Sequence, residues 1–267
     1  KETYKMWFLN KMCTSKVCLD DKTVVITGAN SGIGKETARD LYARDARVIL
    51  ACRNMEMANE AVEDIKNNPP SRLINNTGEL AVYSLDLCSL KSVKDCAKNL
   101  LTNEAAIHIL INNAGVVAYP SYEKTEDGNE MTLQVNYLGH FLLTLLLLPK
   151  MQKSSANCRI VNVSSLTHFL ADIDFDNINL ERSYSETQCF WMQTIIYCSV
   201  DEKYIQFHIN FLLLMFIYRN CDVAILSRKA NNRQYAIKLW NASCHLLHLE
   251  PEEDFIRFLK TVSRQML

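Results

Sequence analysis

The sequence predicts an α/β protein built on a doubly wound parallel sheet. Three observations carry that reading. Short runs of Val, Ile and Leu alternate with helical patterns as far as Ser165. A glycine-rich turn, TGANSGIG, joins the first of those runs to the first helix. And 48% apolar residues in a chain of 267 allow a large core. Strand–helix alternation of this kind places parallel strands between two layers of helices.

The predicted strands are Thr23–Thr27, Arg47–Ala51, Leu80–Leu85, Ile107–Ile111 and Arg159–Val163. Each run is apolar on both faces, as buried parallel strands are. The expected order across the sheet is 3-2-1-4-5, with the glycine turn at the carboxyl end of the first strand. Helical spacing links Ala58, Ala61, Val62 and Ile65, then Leu90, Val93, Ala97, Leu100 and Leu101. A longer pattern runs from about Thr125 to Leu148 and is expected to stop at Pro149. The segment NNPPSRLINNTGE (Asn67–Glu79) reads as a surface loop before the third strand.

The pattern changes after about Thr194. No glycine follows Gly139, although later turns and helix ends of such a sheet normally use them. The sheet is therefore expected to be incomplete toward its C-terminal half. Helical spacing returns over Ala230–Leu249, with Ala236, Leu239, Trp240, Ser243, Leu246 and Leu247 on related faces. The expected organisation is an N-terminal extension (1–20), a dinucleotide-binding domain (21–200), a divergent apolar segment (201–221) and a helical tail (222–267).

A formal net charge of −1 argues against an electrostatic grip on nucleic acid or an anionic membrane. The 10 cysteines form no C-x-x-C pair and no His/Cys cluster, so reduced thiols and no metal site are expected. Asn-x-Ser/Thr at Asn75, Asn162 and Asn241 reads as chance, since Asn162 lies inside a strand pattern. The first twenty residues show neither a signal peptide nor a spanning helix, and FLLLMFIY (Phe211–Tyr218) is too short to span. The expected location is intracellular: cytoplasmic as the sequence stands, or at endoplasmic-reticulum or mitochondrial membranes if an anchor precedes Lys1.

In the glycine turn, Gly28 allows a tight bend. Gly32 lets the backbone approach a pyrophosphate, and Gly34 lets the following helix pack close to the strand. Asn30, Ser31 and Ile33 complete a turn whose helix N-terminus presents free N–H groups to phosphate. Nineteen residues past Gly34, at the end of the second strand, stands Arg53. A free ribose 2′-hydroxyl would favour an acidic residue there, whereas a guanidinium suits a 2′-phosphate. Asp86 and Leu87 close the third strand, with Asp86 placed for an adenine edge. Asn113, Ala114 and Gly115 close the fourth.

TGANSGIG, NNAG, VNYLGHF (Val135–Phe141) and IVNVSS (Ile160–Ser165), in this order, resemble the short-chain dehydrogenase/reductase family. ITGANSGIGKETA, LACRN, HILINNAGV and NYLGHFLLT resemble its retinol dehydrogenase-like branch. The resemblance is strong over about Val17–Glu186 and returns weakly over about Asp222–Leu249. It implies a Rossmann-type fold and NADP(H)-linked oxidation or reduction of a retinoid or other lipophilic alcohol or carbonyl.

The resemblance also implies four catalytic side chains: a Tyr acid/base, a Lys four residues on that lowers its pKa and binds ribose, a Ser on the substrate oxygen, and a supporting Asn. Asn136 matches the Asn and Ser165 the Ser. In YSETQCFWMQT (Tyr184–Thr194), Phe190 takes the Tyr position and Thr194 the Lys position. No tyrosine in the chain has Lys four residues on; Tyr184, the nearest, is followed there by Gln188. The family's Pro-Gly turn beside the nicotinamide is also absent, and residues 195–220 resemble nothing in the family. Two readings follow. One is an NADP(H)-dependent oxidoreductase of retinol dehydrogenase type. The other is an inactive nucleotide-binding isoform or truncated variant, dimerising with itself or an active relative.

Overall fold

The structure is a computed structural model that describes residues 15, 17–70, 78–117, 119–163, 172–186, 218–219, 222–223, 232–250 and 255–267. Five parallel strands form one sheet: β1 (Thr23–Thr27), β2 (Arg47–Cys52), β3 (Glu79–Ser84), β4 (Ile109–Asn112) and β5 (Arg159–Asn162). Their order is β3-β2-β1-β4-β5, as the alternation predicts. Val25 pairs with Ile49 on one side and Leu110 on the other.

Period-two alternation splits the core. Val24, Ile26, Val48 and Leu50 face α1 (Gly32–Tyr42) and α2 (Met55–Asn67). Val25, Ile49 and Leu110 face α3 (Leu90–Asn103) and α4 (Met131–Ser154). β1 is buried along its whole length because both faces are covered. β3 is not buried as its apolar run suggests. It is the outer strand, and its residues are half-buried or exposed.

Two expectations about α4 are corrected. It starts at Met131 rather than near Thr125. Thr125–Glu130 instead makes a tight turn, with Gly128 at φ +84° and the Thr125 N–H donating to the Asn129 carbonyl. Nor does the helix stop before Pro149, which lies inside Gly139–Ser154. An interior proline costs about 3 kcal/mol. Leu145, Leu146, Leu147, Leu148 and Met151 around it are all buried, at about 1.5–3 kcal/mol each, so burial outweighs the lost hydrogen bond. Among the described residues α4 is also the one helix long and apolar enough to cross a membrane, but 83% of its most apolar window is buried inside the fold. It is the central core helix.

The C-terminal tail adds α5 (Arg233–Leu246) and α6 (Phe255–Met266) against α4. Phe141 meets Trp240 edge-on at 5.3 Å, and Trp240 meets Phe258 at 5.4 Å. A two-stranded antiparallel ribbon, β6 (Tyr218–Arg219) and β7 (Asp222–Val223), precedes α5. Most of the loop Asn67–Glu79 and the run Phe211–Tyr218 lie outside the described residues. Cys18, Cys52, Cys88, Cys96, Cys158 and Cys244 are free thiols.

Candidate functional site

A cleft of about 500 Å³ opens at the carboxyl ends of β1, β2, β3 and β4. That is the edge where the winding reverses, with β2 and β3 laid out on one side of β1 and β4 and β5 on the other, the usual ligand crevice of an open α/β sheet. Of the twelve expected cofactor residues, Gly28, Asn30, Ser31, Ile33, Gly34, Arg53, Asp86, Leu87, Asn113, Ala114 and Gly115 line it. Gly32 does not. It sits on the outer rim, in a second groove with Lys35 and Glu36.

The glycine turn has the geometry its sequence requires. Gly28 (φ +65°) and Gly32 (φ +54°) occupy the left-handed region. A Cβ on Gly28 would lie 2.9 Å from the Ala114 Cα, and one on Gly34 would lie 2.4 Å from Asn113 Nδ2. The turns after β1 and β4 are therefore in direct contact.

The helix that follows is left open at its end. Asn54 caps α2 by accepting from the Met57 N–H, and Ser89 caps α3 by accepting from Ser92. Ser31, at the same position of α1, makes no side-chain cap. Among the described residues the N–H groups of Gly32, Ile33 and Gly34 thus have no intrahelical acceptor and no side-chain cap, and carry the positive end of the helix dipole. Beside them the exposed guanidinium of Arg53 forms no ion pair among the described residues. Its Nη1 donates to Cys88 Sγ at 3.9 Å.

Asp86 keeps one carboxylate oxygen on the Cys88 N–H at 3.0 Å, while its own N–H donates to Ser92 Oγ. Burial, with Asp86 close by, pushes the Cys88 thiol up, so it is a neutral wall of the cleft. Asn113 Nδ2 donates to the Thr27 carbonyl at 2.9 Å. These contacts hold the floor without spending the groups that face the opening.

Asn136 lies in a π-helical turn of α4, Gln134–Leu138. Its amide clamps one residue of the neighbouring loop: the Val116 N–H donates to Oδ1 at 2.8 Å, and Nδ2 donates to the Val116 carbonyl at 2.9 Å. π-turns inside α-helices are frequent at functional sites. Ser165, Phe190 and Thr194 lie outside the described residues. Tyr184, the tyrosine nearest the expected position, donates its hydroxyl to the Tyr119 carbonyl and packs edge-on to Tyr122.

Three polar residues at the site escape sequence reasoning. Gln134 is fully buried and makes four hydrogen bonds. Its Nε2 donates to the Cys88 carbonyl and Asp127, and its Oε1 accepts from Thr125 and Asn129. Thr27 and His140, both buried, meet through Oγ1 and Nε2 at 2.8 Å. Among the described residues no group of three or more His, Cys, Asp or Glu could hold a metal.

The short chain dehydrogenase family model matches residues 22–174, which contain the whole cleft. Retinol dehydrogenase 11 of Mus musculus is 49% identical over 174 residues, 65% of this chain and 52% of its own length. Retinol dehydrogenase 13 of Homo sapiens is 46% identical over 68% of this chain and 53% of its own length. In both alignments the chain spans about half the length of the relative. Retinol dehydrogenase 11 of Homo sapiens is 36% identical, with 89% of each chain covered. Among solved structures, a protein of Mycobacterium Paratuberculosis superposes with a TM-score of 0.71 at 27% identity, covering 87% of this chain and 95% of its own. A Shigella flexneri short chain dehydrogenase solved with NADP shares the fold at a TM-score of 0.55 and 20% identity, covering 73% and 74%.

Proposed function

Because this chain belongs to the short-chain dehydrogenase family, in its retinol dehydrogenase-like branch, we propose that its cleft binds NADP(H). We further propose that its chemistry is oxidation or reduction of a retinoid or another lipophilic alcohol or carbonyl. The observation that carries the binding reading is the pairing of an α1 N-terminus without a side-chain cap with a guanidinium that has no ion pair among the described residues. Two anion-seeking groups stand on one rim of a cleft lined by close-packed glycines. A nicotinamide dinucleotide fits this donor set: the first turn of α1 would hold the pyrophosphate and Arg53 a 2′-phosphate. When bound, the cofactor supplies the hydride acceptor or donor.

The chain's own residues define the rest. Asp86 and Leu87 would wall the adenine. Asn136 holds the Val116 backbone, and with it the inner end of the cleft. Ser165, by its match to the family's IVNVSS pattern, would hold the substrate oxygen. Phe190, at the expected Tyr position, has no proton to exchange with that oxygen. Losing a positioned acid/base costs on the order of 10²–10⁴ in rate.

That substitution, with Thr194 at the lysine position, favours a second reading: a chain that binds dinucleotide without turning substrate over, paired with itself or an active relative. One experiment separates them. The purified chain is titrated with NADPH by its fluorescence and then given retinal. Binding with consumption of NADPH supports the oxidoreductase, binding without consumption supports the second reading, and no binding overturns both.

A further inference from the structure

We propose that His140, as the neutral Nδ1–H imidazole, is the positioning residue that sets the Asn113–Gly115 turn of the cleft, acting through Thr27. The inference rests on the dinucleotide reading for its functional meaning and on hydrogen-bond counting for its geometry.

A threonine hydroxyl has one proton and two acceptor sites. The backbone N–H groups of Asn113 and Ala114 donate to Thr27 Oγ1 at 2.9 and 3.0 Å, filling both acceptor sites. The third contact, 2.8 Å to His140 Nε2, must therefore carry the hydroxyl proton. Nε2 is thus the bare nitrogen, and the ring proton sits on Nδ1, where the Asn136 carbonyl accepts at 3.2 Å. Thr27 is 0% and His140 1% exposed, so solvent does not compete for these groups.

The bonds close a ring. Val116 is clamped by the Asn136 side chain, the Asn136 carbonyl holds His140, His140 holds Thr27, and Thr27 holds Asn113 and Ala114. The stretch Asn113–Val116 between the two ends is one wall of the cleft. Its Ala114 touches Gly28 on the opposite wall, so a shift of the β4 turn moves the β1 turn too. A phenylalanine at 140 would keep the volume but leave the Thr27 hydroxyl without an acceptor. A buried polar group left in that state costs enough to favour a rearranged turn by about tenfold or more.

The test uses the full chain and the variants His140→Phe, Thr27→Ser and Thr27→Val. Long-range nitrogen–proton NMR reads the His140 tautomer. Hydrogen exchange compares the amides of Asn113 and Ala114 with those of Val48 and Leu50 in β2. Titration compares NADP⁺ with adenosine 2′,5′-bisphosphate, which probes the adenosine half of the site without the nicotinamide half. The expected results are an Nδ1–H tautomer and, in His140→Phe, about tenfold loss of protection at Asn113 and Ala114 with Val48 and Leu50 unchanged. NADP⁺ should weaken about tenfold while the bisphosphate changes less than twofold. Thr27→Ser should behave as wild type and Thr27→Val as His140→Phe. An Nε2–H or doubly protonated ring at neutral pH, protection lost equally in β2, or Thr27→Ser failing like Thr27→Val would each overturn the assignment. Failure of the wild type to bind NADP⁺ would refute the dinucleotide reading alone, since exchange and tautomer decide the role of His140 without it.

Discussion

The Tyr137 hydroxyl meets Ser243 Oγ at 2.7 Å, joining α4 to a helix 106 residues later. Ser243 Oγ donates to the Leu239 carbonyl at 2.7 Å, so Tyr137 is the donor in the pair. Both residues are buried. The C-terminal tail is therefore part of the core. Ser243→Ala should destabilise the fold by about 1 kcal/mol, because it removes a buried hydrogen bond between α4 and α5. Urea unfolding would measure this, and an unchanged midpoint would show that the tail is only loosely attached.

Arg53→Ala should erase a preference for NADP(H) over NAD(H). A charge-assisted contact is worth about 1.5–3 kcal/mol, so wild type should prefer the 2′-phosphorylated form by more than about tenfold. Fluorescence titration with both cofactors checks this. Equal wild-type affinities would remove Arg53 from the site.

Gly34→Ala should abolish dinucleotide binding and destabilise the fold by about 2 kcal/mol or more, through overpacking. Its new methyl would fall 2.4 Å from Asn113 Nδ2 and 2.8 Å from the Gly28 carbonyl. Thermal melting with and without NADP⁺ reads both effects. A variant that melts like wild type and is still stabilised by NADP⁺ would contradict the close approach.

Stability should fall as pH drops from about 6.5 toward 4. Burial pushes His140 down to about 4, against a smaller opposing pull from the Asn136 carbonyl. Its folded pKa lies below its unfolded value, so the unfolded chain binds the extra proton in this window. The stability at stake is present above about 6.5 and lost as pH approaches 4, to a ceiling of about 3 kcal/mol. His140→Phe should lack this loss, so its stability deficit at pH 7 should shrink at pH 5. A deficit that stays constant with pH would show that His140 titrates normally.

On the second reading turnover of retinal by the wild-type chain should be undetectable, and on the first it should be slow. Phe190→Tyr with Thr194→Lys should restore part of it, short of the complete family rate, because the Pro-Gly turn is also missing. A wild-type rate on the order of 1 s⁻¹ or more would show that the proton donor lies elsewhere.

The sheet and most of the cleft were legible because they are written locally. A β-branched run followed by glycines at fixed spacing announces strand, turn and helix within about a dozen residues. Arg53 and the NNAG turn are also local, each ending its strand. Thr27 and His140 were not legible as a pair, since they are 113 residues apart and each fits the local pattern as an ordinary core position. Gln134 escaped because nothing in its helical run announces the Thr125–Asn129 turn and the Cys88 carbonyl that engage its amide. Pro149 misled because local chemistry ends a helix there, while burial of the surrounding leucines continues it. The start of α4 was misplaced because Thr125–Glu130 is held by side-chain hydrogen bonds that leave no apolar period.

The lining of the cleft runs from Gly28 to Val135. A chain emerges from the ribosome N-terminus first, and its parts tend to fold in that order. Every wall of the cleft is thus made before positions 190 and 194 exist as peptide. A dinucleotide that binds only the folded form would draw the young chain toward it by mass action. The cell's supply of cofactor would then act as a folding aid, setting how much of this protein survives quality control even if no substrate is ever turned over.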